Sequence, residues 1–339
     1  MWDAVERAAS RMTPCGGFRK CKGVSEGFGP GLDPGYRFLV QSDARLRRSV
    51  LATTRPAVLA GTWYPGDPGD LAAEVRRFID GARPGDAPDG TPVVLLAPHA
   101  GYVYSGAVAG RGYGLLAGHH FERVFVLAPP HRHHISRVSY PEAAAYATPL
   151  GEVALDREVC DRLASCPAFV CAPAAHAQEH AEEIQLPFLQ TVFSPVPPVV
   201  PLLVPALSDA RRREAAEALG AWCDGRSLFV ISTDLTHFGA SYGYAPFRTD
   251  IPEKLRNLDE GALDAVLDWD ARRLLDYGRD TGITMCGLEA AALVLSLPWP
   301  GKPRTALLDY ARSGDRDGDY TFSVSYAALL ACLDPEVLP

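Results

Sequence analysis

The sequence predicts an α/β fold: one domain with a central, mostly buried sheet covered by helices. Three observations predict it. From Arg55 onward, apolar runs of strand length alternate with amphipathic helical stretches, and short turn clusters separate them. Several runs are apolar on both faces, as strands covered by helices on two sides must be.

The first helix is expected over residues 67–82, where Asp67 is the N-cap and Pro68 the first-turn proline. Strands follow at 92–97 (PVVLLA) and 123–128 (RVFVLA), then helices at 157–165 and 180–193 (HAEEIQLPFLQTVF). VVPLLVPA (199–206) is the third strand, 209–223 a helix, and SLFVIST (227–233) the fourth strand. Helices at 260–278 and 287–297 precede two closing strands, 304–311 and 321–331.

Residues 1–54 differ. They are Gly-rich, lack sustained periodicity and end on the basic QSDARLRRSV, which predicts an N-terminal extension to an α/β domain over 55–339.

At 339 residues, 47% apolar and 22% charged, the chain can bury a core of ordinary globular size. A net charge of -8 argues against a phosphate-tracking surface, so no nucleic acid is expected. The most apolar late stretch, PVPPVVPLLVPAL, is broken by prolines, and the first thirty residues carry no apolar secretory core. No membrane association is expected, and a cytoplasmic location follows as the default. The eight cysteines then read as thiols, and Cys160, Cys166 and Cys171 lack the paired spacing of structural zinc sites.

The chemistry concentrates where strands end. PVVLLA runs into Pro98-His99, RVFVLA into APPHRHH, SLFVIST into Asp234-Leu235-Thr236-His237, and Cys286 opens the helix after TGITM. Singly, these are a packed histidine, a solvated loop, a helix cap and a small buried residue. Jointly they carry five of the nine histidines in three strand exits, where open α/β sheets form their ligand crevice.

Two imidazoles and one anionic ligand, with open positions left, are what a catalytic divalent metal needs. His99, His131 and Cys286 fit that description. Spacing does not separate His131 from His133 and His134; position in the Pro-Pro-His exit favours His131. Asp234 and His237 supply a carboxylate and a group that titrates near neutrality, as general acid/base catalysis requires. A zinc hydrolase of the H-x-H-x-D-H kind is disfavoured, because His134 and Ile135 stand where the aspartate would follow. Glu179, His180 and Glu183 read in isolation as an acidic helix start.

AGTWYPGDPGDL, APHAGYVYSG, APPH, TPLGEV, EHAEEIQLPFL, STDLTHFG, TMCG and SVSYAALL occur in that order. Together they resemble the Memo family, also called the B protein of the AmmeMemoRadiSam system, over roughly Arg55 to Ala331. The resemblance implies a domain similar to class III extradiol dioxygenases, which use iron held by two His and one Glu. It implies a crevice lined by His99, His131, Asp234, His237 and Cys286, with His237 at the acid/base position. Tyr102, Glu179, His180 and Glu183 then fall among substrate-binding or supporting groups.

Cys286 departs from the dioxygenase pattern by replacing a carboxylate, and a softer thiolate shifts preference toward copper or zinc. That weighs against ring cleavage. The expected function is therefore metal-dependent oxidoreductase or redox chemistry, with iron or copper as cofactor, zinc as a further candidate, and an unknown small molecule as substrate. The other expectation is a non-catalytic module that binds a peptide or protein. The resemblance implies AMMECR1-like and radical SAM proteins as its partners.

Overall fold

The structure is a computed structural model and describes residues 53–338. The proposed extension lies outside the described residues except at its last two positions, and Thr54 already pairs with Ala145 in a strand. Cys15 and Cys21 also fall outside; the six described cysteines are free thiols.

In chain order the elements are β1 (Thr54–Arg55), α1 (Pro68–Ile79), β2 (Thr91–Ala97), α2 (Tyr102–Gly114), β3 (Arg123–Ala128), β4 (Val138–Tyr140), β5 (Ala145–Thr148) and β6 (Gly151–Ala154). There follow α3 (Arg157–Leu163), β7 (Phe169–Cys171), α4 (Pro173–His176), α5 (His180–Glu183), α6 (Leu186–Val192), β8 (Val199–Leu203), α7 (Asp209–Leu219) and β9 (Ser227–Ser232). The chain closes with β10 (His237–Gly239), α8 (Ile251–Leu267), α9 (Ala271–Thr281), α10 (Leu288–Leu295), β11 (Arg304–Arg312) and β12 (Phe322–Leu333).

A nine-stranded sheet runs in the order β10, β12, β2, β9, β3, β8, β4, β7, with β11 alongside β12; β1, β5 and β6 form a separate small sheet. Strands β2, β9, β3 and β8 are mutually parallel, and β12 lies antiparallel to β2. This is the central, helix-covered sheet the sequence predicts, with β12 making it mixed.

The parallel strands are apolar throughout because each face meets a different core. Val94, Leu96, Phe125, Leu127, Phe229 and Ile231 face one hydrophobic cluster. Their alternates Leu95, Ala97, Val124, Val126, Leu228 and Val230 face the other. Two-residue alternation of side chains makes that partition unavoidable.

Helix α1 starts where expected: the Asp67 carboxylate accepts from the backbone N–H groups of Gly69 and Asp70. The predicted helix over 180–193 is two helices, because Pro187 has no N–H to continue the ladder and the chain turns at Ile184-Gln185. The predicted helix over 260–278 is also two. Trp269 takes a positive φ of 58°, and Asp270 caps α9 by accepting from Arg273 N. A short acidic side chain offers the backbone that alternative to helix.

Helix α2 is not predicted by the sequence, since Gly106, Gly110, Gly112 and Gly114 each weaken a helix by roughly 0.5–1 kcal/mol. Packing overrides propensity. Gly106, Gly110 and Gly114 recur every four residues and lie against Phe78 and Ile79 of α1, which touches α2 almost backbone to backbone. A Cβ added at Gly110 would sit 2.5 Å from the Phe78 carbonyl oxygen, which cannot rotate away. Gly110→Ala is therefore expected to destabilise the fold by about 1–3 kcal/mol, read as a lower urea midpoint. An unchanged midpoint would contradict this account of the helix contact.

Candidate metal centre

Strands β2, β9 and β3 are neighbours, so the residues that follow their carboxyl ends emerge side by side, about 4.8 Å apart. From β2 the chain delivers His99, from β9 Asp234, and from β3, after Pro129 and Pro130, His131. His180 enters from the start of α5. The His99 ring lies 5.2 Å from that of His131 and 5.3 Å from that of His180, and the last two are 4.3 Å apart. One nitrogen from each of the three comes within 4.8 Å of the others, an arrangement that can hold a metal ion.

Each ring is held by its own partner. His131 Nδ1 lies 2.8 Å from Glu179 Oε1, and its backbone N–H donates to Oε2 at 2.7 Å. The carboxylate accepts only, so in the neutral ring Nδ1 carries the proton and Nε2 the lone pair. His99 Nδ1 lies 3.0 Å from Ser232 Oγ, and its backbone N–H donates to Asp234 Oδ1 at 2.8 Å. On the other side, His99 Nε2 is 3.1 Å from Cys286 Sγ, which accepts the Asp234 backbone N–H at 3.2 Å.

His180 differs. Its Nδ1 lies 3.2 Å from Glu179 Oε1, but out of line for a hydrogen bond, and stays buried without a partner. An unpaired buried nitrogen costs about 1–3 kcal/mol, which ligation of a metal would offset. The donor set and this orphaned atom fit an ion.

Burial, reinforced by His131 and then by His180 and His237, lowers the His99 imidazole well below its usual range. Burial and His131 lower His180 to about 3. Burial acts to raise Glu179, but hydrogen bonds and charge from His131, with His180, outweigh it and hold the carboxyl at about 2. Both imidazoles are thus neutral, the form that binds metals.

The unfolded chain protonates His99 and His180 near pH 6.5, while the folded chain does not until about pH 3 for His180. Between those values the unfolded state binds more protons, so stability falls as pH falls, by up to about 1.4 kcal/mol per unit per group. Glu179 adds to the loss from pH 4.5 to about 2. Urea midpoints of metal-free protein are expected to drop between pH 7 and pH 5. His180→Gln should flatten that slope, and a flat profile in the parent would contradict the neutral-imidazole assignment.

A family model described as Memo-like protein matches residues 55–330. The chain belongs to this family. The MEMO1 family protein of Methanobrevibacter smithii is 33% identical over 288 residues, which cover 81% of this chain and 98% of that protein. The Protein memo-1 homolog of Caenorhabditis elegans is 31% identical over 249 residues, 71% of this chain and 70% of that protein.

In this Memo-like chain the residues chosen from sequence divide into three groups. His99 and His131 meet, as expected, but the third imidazole beside them is His180, which sequence assigned to substrate. Cys286 touches His99 and lies outside the imidazole trio. Glu179 is 0% exposed and binds His131, so it orients that ring.

Tyr102 and Glu183, expected among substrate-binding or supporting groups, are both buried. Tyr102 is 2% exposed, donates to the Ile184 carbonyl and packs on Tyr64, Phe78 and Phe188. Glu183 is 0% exposed and bound to Arg55, Tyr64 and two backbone N–H groups. These contacts hold both side chains within the frame around the imidazoles.

Asp234 and His237 are both present, but not as the expected oriented pair. Asp234 is spent on the His99 backbone, and burial, outweighing His237 and the His99 N–H, raises its carboxyl. His237 is oriented by the carbonyls of Leu235 and Thr284, at 3.1 and 3.2 Å. Both accept only, so its Nε2 is the basic nitrogen.

Sequence reasoning missed Ser232, Gln185 and Thr284. Ser232, the last residue of β9, pairs with Ala97 and so stands beside the His99 turn. Its position at a strand exit was the one available signal.

Among the described residues no helix is long and apolar enough to cross a membrane.

Proposed function

We propose that this Memo-like chain is a metalloprotein that binds one iron or copper ion, with zinc as competitor, on His99, His131 and a third ligand, and acts as an oxidoreductase on a small molecule. The observation that carries it is the convergence of His99, His131 and His180 within 4.8 Å, with a buried His180 nitrogen left unpartnered. His180 and Cys286 compete for the third place; a thiolate favours copper or zinc and an all-imidazole set suits iron as well. When bound, the ion supplies electron transfer and Lewis acidity.

The chain's own groups supply the rest. Glu179 and Ser232 fix the imidazoles, and His237 Nε2 can accept a proton. Protein purified without oxygen and loaded with Fe(II) or copper should consume oxygen with catechols or other small reductants. His237→Gln should keep the metal and slow turnover by about 10²–10⁴. Loaded parent that consumes no oxygen with any reductant would overturn the catalytic part.

A second reading has its own observation. A cleft beside His131 and Cys286 is walled by Pro129, Pro130, Pro205 and Met285 together with His133, His134 and Glu289, a mixed surface that suits a peptide. In that case the chain is a binding module acting with AMMECR1-like and radical SAM proteins. A partner that His99→Ala and His131→Ala variants retain in a pull-down would favour it.

A further inference from the structure

Three buried side chains behind His99 form a chain of hydrogen bonds whose directions are all determined. Gln185 Nε2 lies 3.1 Å from the Pro98 carbonyl and 2.8 Å from Ser232 Oγ, while Gln185 Oε1 accepts from the Tyr113 hydroxyl at 2.9 Å. The Pro98 carbonyl accepts only, so the amide nitrogen must face it; the flipped amide would oppose two oxygens. Gln185 therefore donates to Ser232.

Ser232 Oγ also lies 2.6 Å from the Ala181 carbonyl, another pure acceptor. Its single proton goes there. What Ser232 offers to His99 Nδ1, 3.0 Å away, is a lone pair, and Nδ1 must bring the hydrogen. Tyr113, Gln185 and Ser232 are 0% exposed and His99 is 2% exposed, so solvent does not readily offer substitute partners.

We infer that Ser232 and Gln185 are positioning residues that lock His99 in the Nδ1–H tautomer and present its Nε2 lone pair to the metal centre. The inference deepens the proposed function and rests on it for the metal; the tautomer itself does not. The same logic assigns the 3.1 Å contact in metal-free protein: the Cys286 thiol donates to His99 Nε2. A ligating histidine fixed through its second nitrogen is a more basic, better-oriented ligand.

The test uses the full chain with ¹⁵N-labelled histidine. Long-range ¹H–¹⁵N NMR of the metal-free parent should show His99 Nε2 as the unprotonated nitrogen. Zn(II), which is diamagnetic, serves as the binding probe. Ser232→Ala should lose the single tautomer and weaken Zn(II) binding about 10–100-fold, and Ser232→Thr should restore both. Ser227→Ala, a buried serine at the far end of the same strand, should change neither.

A proton on Nε2 of the parent His99 would overturn the inference whether or not any variant folds. So would a Ser232→Ala protein that keeps the tautomer and binds Zn(II) as the parent does. A parent with Nδ1–H that takes up no Zn(II), iron or copper would overturn the metal reading and leave the tautomer assignment standing.

Discussion

His99→Ala is expected to abolish stoichiometric binding of iron or copper, because His99, like His131, belongs to both possible ligand sets. It contributes to the imidazole trio and also touches Cys286. Loss of a group that merely orients a ligand costs about 10–100-fold in affinity, so loss of the ligand itself should exceed that. Isothermal titration of parent and variant measures it, and parent-like uptake by His99→Ala would contradict the assignment.

The third ligand separates by pH. Burial, with the Asp234 charge second, pushes the Cys286 thiol above its ordinary range, so it ligates only by releasing a proton. Cys286 ligation makes affinity rise about tenfold per pH unit near neutrality. In the imidazole set, burial already lowers His99 and His180, so neither releases a proton on ligation. Affinity nearly flat between pH 7 and 8, lost in His180→Gln and kept in Cys286→Ser, would identify the imidazole set; the reverse pattern would identify the thiolate.

Glu183→Ala should be the most damaging substitution for stability. The Glu183 carboxylate meets Arg55 Nη1 at 2.5 Å, the Val58 and Leu59 N–H groups at 2.9 Å each and the Tyr64 hydroxyl at 2.6 Å. Arg55 in turn donates to the carbonyls of His176 and Glu179, both at 2.8 Å. Removing the carboxylate leaves a guanidinium buried with no counter-charge in this contact, at a cost of about 3–5 kcal/mol. Because Arg55 also anchors the segment that carries Glu179 and His180, metal affinity should fall with the loss of stability. A urea midpoint within experimental error of the parent would refute this role.

The motif Glu179-His180-x-x-Glu183 shows where sequence pattern stops informing. Helical spacing puts the two glutamates on one face, yet Glu179 is the N-cap, outside the helix, and α5 has only four residues. One carboxylate consequently turns to His131 and the other to Arg55, partners 48 and 128 residues away. Pairings across such distances depend on the fold and leave no local trace. The strand exits were legible because an apolar run ending in His or Asp is a local feature, and the parallel sheet turns that local feature into proximity. Helix α2 was illegible for the opposite reason: its glycines oppose helix locally and pay off only against Phe78.

The most direct test of the central claim is anomalous diffraction at the metal edge from crystals of the iron- or copper-loaded protein. The account predicts one peak within bonding distance of both His99 and His131, beyond the carboxyl ends of β2 and β3. A fully loaded crystal whose metal lies elsewhere, with those two rings unligated, would contradict it.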